Sequence, residues 1–136
     1  MSDAGAALAA AAERLVGVPY RLHGRDPATG LDCVGLVAAA LSAIGRTVPA
    51  PSGYQLRRLR VERLLGAADD AVLREATGPV EPGDILLLTP GPGQHHLAVA
   101  AADQAAIHAH AGLGRVVRTP APLPWPTERR WRLPTE

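Results

Sequence analysis

The chain contains no phenylalanine, no lysine, no asparagine and a single cysteine, Cys33. Two Trp and two Tyr are its only aromatics, 3% of the residues, so a core has to be built from Ala, Leu and Val. One cysteine excludes an internal disulfide and a four-thiolate zinc site. In the absence of Lys all 14 basic residues are Arg, and 13 acidic residues leave a net charge of +1. That balance lacks the basic excess of a nucleic-acid binder. The local run Arg57, Arg58, Arg60 and Arg63 reads as a solvated helix face. No apolar run of ~18 residues exists, so no membrane insertion is expected. The Ala-rich stretch from Met1 to Val16 carries Asp3 and Glu13 and has no basic leading segment, so it does not read as a signal peptide. The expectation is a chain that starts in the cytoplasm and has no secretory route of its own.

What is present is enough to fold. Of 136 residues, 47% are hydrophobic and 20% charged. A single domain spanning 1–136 is expected, burying roughly two-thirds of its unfolded surface. Ser2 or Asp3 can cap a first helix that runs to Val16 and stops at Gly17. Gly17 to Asp32 holds Pro19, Gly24, Pro27 and Gly30 and reads as a loop. A second helix opens at Asp32, with Leu36, Val37, Ala40, Leu41 and Ile44 at helical spacing, and ends at Gly45. Leu56 to Leu65 and Asp70 to Ala76 read as short surface helices. From Pro82-Gly83 onward the pattern changes to strands: Asp84 to Thr89, then a hairpin of His95–Ala101 and Ala105–His110 turning at Asp103-Gln104. Arg115–Arg118 and a stretch around Arg130–Leu133 follow, separated by a Pro-rich link, Pro120 to Pro126. Helices followed by a meander of strands is an α+β layout.

The residues able to do chemistry are few. Cys33 falls at the start of the second helix, where unpaired N–H groups and the helix dipole favour an anion. A thiol there is expected to be shifted toward thiolate, the nucleophilic form. The alternative is a lone buried Cys packed as a small apolar residue. Four of the five His cluster late in the chain, at 95, 96, 108 and 110. With a hairpin turning at Asp103, His96 and His108 are diagonal neighbours on one face, within about 7–8 Å. Ala98 and Ala100 on that face would leave room for a helix to pack closely. A His pair beside a Cys-bearing helix is one arrangement for nucleophilic catalysis. Zinc ligation by His96, His108, His110 and Cys33 is another, although no short ligand spacing of the H-E-x-x-H or C-x-x-C kind occurs. A structural or surface role is a third. His95 and His110 read as bystanders.

Several motifs in order resemble those of the NlpC-type cell-wall cysteine peptidases. They are Gly17-Val-Pro-Tyr20, then Leu31-Asp32-Cys33-Val34-Gly35-Leu36-Val37, then Pro82-Gly83-Asp84-Ile85-Leu86, then His96-Leu97-Ala98-Val99, then Ile107-His108-Ala109. Each is weak alone. Their order, with eleven residues between His96 and His108, carries the resemblance. The sequence departs from the pattern at Val34, where the family has Ser, and at Leu22-His23, where it has Trp-Gly.

The resemblance implies a papain-like α+β fold, with a Cys-bearing helix packed on an antiparallel sheet. It implies a catalytic set of Cys33 as nucleophile, His96 as general base and His108 as the residue that orients His96, with no cofactor and no metal. The oxyanion hole would use the backbone N–H of Cys33 with the Tyr20 loop. Tyr20 and Asp32 are implied at the substrate, although Asp32 also suits the role of helix cap. The implied substrate is peptidoglycan, cut in its stem peptide at an amide next to a D-amino acid or diaminopimelate. The nearest flavour is the small peptidase of phage, prophage and gene transfer agent tails, suggested by the compact length and the ending Pro122-Leu-Pro-Trp125 with Arg129-Arg130-Trp131-Arg132-Leu133-Pro134. Partners would then be tail-tip or baseplate proteins, and the enzyme would travel in the tail to act in the target cell's envelope. A structural tail component with a vestigial site, and an amidase or acyltransferase on the same fold, are the alternatives.

Overall fold

The structure is a computed structural model that describes residues 3–46, 73–92 and 94–134. Its elements are helix α1 (Asp3–Glu13), strands β1 (Arg25–Asp26) and β2 (Gly30–Leu31), helix α2 (Cys33–Ala43), and strands β3 (Arg74–Glu75), β4 (Ile85–Leu88), β5 (His96–Ala100), β6 (Ala106–His110), β7 (Arg115–Thr119) and β8 (Thr127–Arg132). Strands β1 and β2 form a small hairpin inside the segment expected to be a plain loop. The other six form one antiparallel sheet in the order β3-β8-β4-β5-β6-β7. This is the expected α+β, papain-like arrangement of helices on an antiparallel sheet.

α1 stops before Val16 because its last turn tightens. Leu15 and Val16 donate to the carbonyls three residues back, Ala12 and Glu13, and Gly17 then turns away at φ +96° to bond Val116. α2 begins and ends where the residues dictate. Asp32 is extended and its carboxylate accepts from Gly35 N–H, and Gly45 follows the C-cap at φ +79°. The hairpin register is also as expected, with Val99 opposite Ile107 and Ala100 opposite Ala106. Of the two short helices expected in the middle of the chain, Leu56–Leu65 lies outside the described residues, as does the Arg57–Arg63 cluster. The second is corrected. Arg74 and Glu75 are strand β3, paired with Arg132 and Trp131, and Glu75 binds Arg129 at 2.8 Å. Pairing with β8 overrides the local pattern there.

The sheet is buried on both faces. Leu97, Val99, Ile107, Ala109, Ile85, Leu87 and Trp131 form a core with α1 and α2. Leu86, Leu88, Ala98, Ala100 and Ala106 form a second cluster with Val80, Leu123 and Trp125. So the expectation that a helix packs over Ala98 and Ala100 is wrong. The helices lie on the Leu97/Val99 face, whose larger side chains fill the space beneath them, and the Pro-rich segment closes the small-residue face.

The place of β8 between β3 and β4 has a polar cause as well as an apolar one. Asp84, entirely buried at the start of β4, receives Arg132 at 2.7 and 2.9 Å and Arg130 at 3.0 Å, and accepts Glu81 N–H at 3.0 Å. Arg130 and Arg132 extend to the carbonyls of Gly78 and Pro79. A buried carboxylate held this way fixes β8 beside β4.

Candidate active site

The cleft opens at the end of the sheet where β5 begins and β6 ends. It encloses about 420 Å³ and is lined by Tyr20, Cys33, Pro90, Gln94, His95, His96, His108, Ala109, His110, Ala111 and Gly112. Local structure brings each group there. Tyr20 sits in a segment zipped between two strands: its N–H donates to Gly114 O at 2.8 Å, and Leu31 N–H donates to Pro19 O at 2.9 Å. Cys33 is held by the Asp32 cap and by close passage of the loop over α2. A Cβ on Gly35 would collide with the carbonyl oxygen of Gly24, so only glycine fits at that position.

His96 and His108 meet as the strand pattern predicts. His96 Nε2 and His108 Nδ1 are 2.9 Å apart, with the rings perpendicular. The other nitrogen of His108, Nε2, is 2.8 Å from Thr119 Oγ1. His108 is buried, with the Trp125 ring nearly perpendicular to it at 5.3 Å between centroids. Among the described residues, its side-chain hydrogen-bond partners are therefore His96 and Thr119. Holding His96 by Nε2 leaves its Nδ1 as the free ring nitrogen.

Asp32 is absent from the cleft wall. It is buried, and besides the Gly35 cap it accepts from His23 N–H and from Arg25 Nη1, each at 2.9 Å. Its carboxylate is thus engaged in tying the preceding loop to α2, which is the cap role. His95 and His110, which read as bystanders in the sequence, line the cleft wall, because each sits at a strand end where the cleft opens. His95 Nε2 is 3.3 Å from Glu128, and its Nδ1 is buried without a hydrogen-bond partner among the described residues. His110 Nδ1 accepts Leu113 N–H at 3.0 Å, which leaves its Nε2 as the N–H.

The electrostatics correct the sequence expectation about Cys33. Burial pushes its thiol up to about 12, outweighing N–H groups of Leu97, Val34 and Cys33 that favour the thiolate, while the Asp32 charge adds to the rise. Burial, with a smaller share from neighbouring His110 and, at His108, from His96, pushes His96 and His108 down to about 4. The cleft therefore favours a neutral thiol and neutral imidazoles over a thiolate–imidazolium pair. Desolvation exceeds the effect of the helix N-terminus here, because Cys33 is only 6% exposed. Burial, then Cys33 and Asp32, also raise Tyr20, which stays a protonated donor beside the thiol.

Thr119, Trp125 and Gln94 do not stand out as site residues in the sequence. Thr119 has a usable signal. Ala106 pairs with Thr119 and His108 with Val117, so Thr119 is on the His108 face, diagonal to it. The expected strand stops one residue short of it. Among the described residues, no three His, Cys, Asp or Glu side chains gather so as to hold a metal ion. No described helix is long and apolar enough to cross a membrane.

A comparison with known families finds a match to the NlpC/P60 family over residues 17–129, most of the chain and every motif quoted above. The chain belongs to the NlpC/P60 family. NlpC/P60 proteins are cysteine peptidases or amidases acting on peptidoglycan. Among solved structures, the NlpC/p60 domain of the peptidoglycan hydrolase SagA is similar at 26% identity and a TM-score of 0.58, over 85% of this chain and 88% of that one. RipB, a peptidoglycan hydrolase of Mycobacterium tuberculosis, is similar at 23% identity and a TM-score of 0.62, over 100% of this chain and 70% of that one. NlpC1 of Trichomonas vaginalis is similar at 18% identity and a TM-score of 0.70, but this chain spans only 46% of its length. A search of curated protein sequences returns no match.

Proposed function

We propose that the protein is a cysteine peptidase that hydrolyses peptidoglycan stem peptides, at an amide next to a D-amino acid or diaminopimelate. The observation that carries this is one cleft holding Cys33, Tyr20 and His96, with His96 anchored through Nε2 by His108. Cys33 is the nucleophile and His96 the base. Because both start neutral, the thiol proton passes to His96 Nδ1 as Sγ attacks the carbonyl carbon, not before. The oxyanion that forms is met by Cys33 N–H and by donors of the Tyr20 segment. His96 returns the proton to the leaving amine, and water then cleaves the thioester. His108 holds His96 in register and supports its charged form. Substrate recognition draws on the cleft wall, with Tyr20 in contact.

The same reading places the enzyme in the tail of a phage-like particle. It would be made in the cytoplasm, docked to tail-tip or baseplate proteins and active in the target cell's envelope. Support for this comes from the resemblance of its Pro122–Trp125 and Arg129–Pro134 segments to tail-associated peptidases.

Mass spectrometry of muropeptides after digestion of purified sacculi tests the activity. New amine termini within stem peptides are expected. Products cut at the sugar–peptide amide instead would make it an amidase, and unchanged sacculi would remove the hydrolase reading. Proteomics of purified particles, with the chain present or absent, tests the tail role.

A further inference from the structure

We propose that Thr119 is a positioning residue, the terminal hydrogen-bond acceptor that fixes which nitrogen of His108 carries its proton and, through His108, which nitrogen of His96 is free to act. The inference rests on the assignment of Cys33 as nucleophile and His96 as base.

Two heteroatom pairs define the relay. His96 Nε2 lies 2.9 Å from His108 Nδ1, and His108 Nε2 lies 2.8 Å from Thr119 Oγ1. Cys33 and His96 line the same cleft, where the substrate would bring them into play. A neutral imidazole has one N–H and one lone pair. When the Cys33 S–H bond breaks, its proton forms a new bond at His96 Nδ1. His96 then carries N–H on both nitrogens, and Nε2 must donate to His108 Nδ1. That nitrogen can accept only if the proton of His108 is on Nε2. The Nε2–H in turn needs an acceptor, and His108 is 1% exposed, with the Trp125 ring packed nearly perpendicular to it. Thr119 Oγ1 is the acceptor in place.

A hydroxyl suits this position better than a stronger acceptor. Thr119 is half-buried, so its own hydrogen can turn to solvent while a lone pair faces His108. A carboxylate there would draw a proton onto His108 and set two imidazoliums side by side. Thr119 receives no proton at any step; it only sets the direction of the relay. Without it, His108 can move its proton to Nδ1. An N–H would then face the N–H of charged His96, and the transition state would lose its support.

The test uses the full chain labelled with nitrogen-15 in histidine. Imidazole NMR is expected to show His108 protonated at Nε2; protonation at Nδ1 overturns the proposal. Thr119→Val keeps the β-branched shape and removes the acceptor. It should lower kcat on sacculi roughly tenfold with KM unchanged, an effect of the size expected for a lost buried hydrogen bond. It should slow alkylation of Cys33 by iodoacetamide, which needs no peptidoglycan, by a similar factor. Thr119→Ser, which keeps the hydroxyl, should recover most of both. In a His108→Gln background, Thr119→Val should have no further effect. Wild-type kcat and alkylation rates in Thr119→Val, with sacculi cleaved, overturn the role of Thr119 and leave the peptidase reading standing. Slowed alkylation in Thr119→Val, with sacculi untouched by the wild type, does the reverse. Should Thr119→Val fail to fold, the wild-type tautomer and the Thr119→Ser rates decide.

Discussion

His96 and His108 face each other edge to plane, with Nε2 of the first 2.9 Å from Nδ1 of the second. The two histidines are chemically alike but not equivalent in position, since His96 keeps a free nitrogen in the cleft and His108 is saturated by His96 and Thr119. His96→Ala is therefore expected to lose nearly all hydrolysis. His108→Asn or His108→Gln should keep partial activity, because a neutral side chain can still hold His96. His108→Ala should fall further, by about 1–3 kcal/mol in activation free energy, for want of any partner on His96 Nε2. Rates of these variants on one substrate, side by side, check the order. Equal loss in all of them would mean that the two imidazoles act as one unit.

Cys33→Ala should abolish hydrolysis and leave the fold intact. The thiol is a small group at a helix start, and its removal changes little packing. Loss of a nucleophile costs several orders of magnitude in rate. Circular dichroism together with a sacculus assay checks both halves. Wild-type turnover in a folded Cys33→Ala protein would rule out the thiol mechanism.

Stability should decline as pH falls from about 6.5 toward about 4. His96 and His108 are held near 4 in the fold by burial, against an ordinary value of 6.5. Between those values the unfolded chain binds protons that the native chain does not, so stability falls as pH falls through that window. Denaturant midpoints at neutral and mildly acidic pH read this directly. His108→Gln should flatten the dependence. A profile with the same slope in wild type and variant would show that other groups set it.

Gly35→Ala should harm both stability and Cys33, because the added methyl meets the Gly24 carbonyl, a backbone atom with no rotamer to change. Overpacking of this kind costs about 1–3 kcal/mol. Asp32→Ala should cost at least the ~1 kcal/mol of a lost cap. It also frees His23 N–H and Arg25 Nη1 from their carboxylate. Urea unfolding gives the stability change, and iodoacetamide alkylation rates report whether Cys33 has moved. An Asp32→Ala protein with wild-type stability would contradict the cap role.

By itself the sequence determined the local parts of this protein. Asp32 before a helical run and Gly45 after it specify α2, and the two-residue alternation around Asp103-Gln104 specifies the hairpin register. From that register follows the meeting of His96 with His108. These features depend on neighbours in the chain, so they are legible from a short window. The motifs in order also led to the right family. What tertiary structure alone decided depends on distant partners. The sheet face taken by the helices was set by which side chains fill space against them, and the pattern at Ala98 and Ala100 suggested the wrong one. Strand β3 exists because β8 offers it an edge, and β8 lies beside β4 in part because Arg130 and Arg132 close on Asp84. The protonation of Cys33 is of the same kind. Its place at a helix start argued for a thiolate. The sheet and loops that bury it make desolvation outweigh the helix dipole, and the extent of burial is a property of the packed chain.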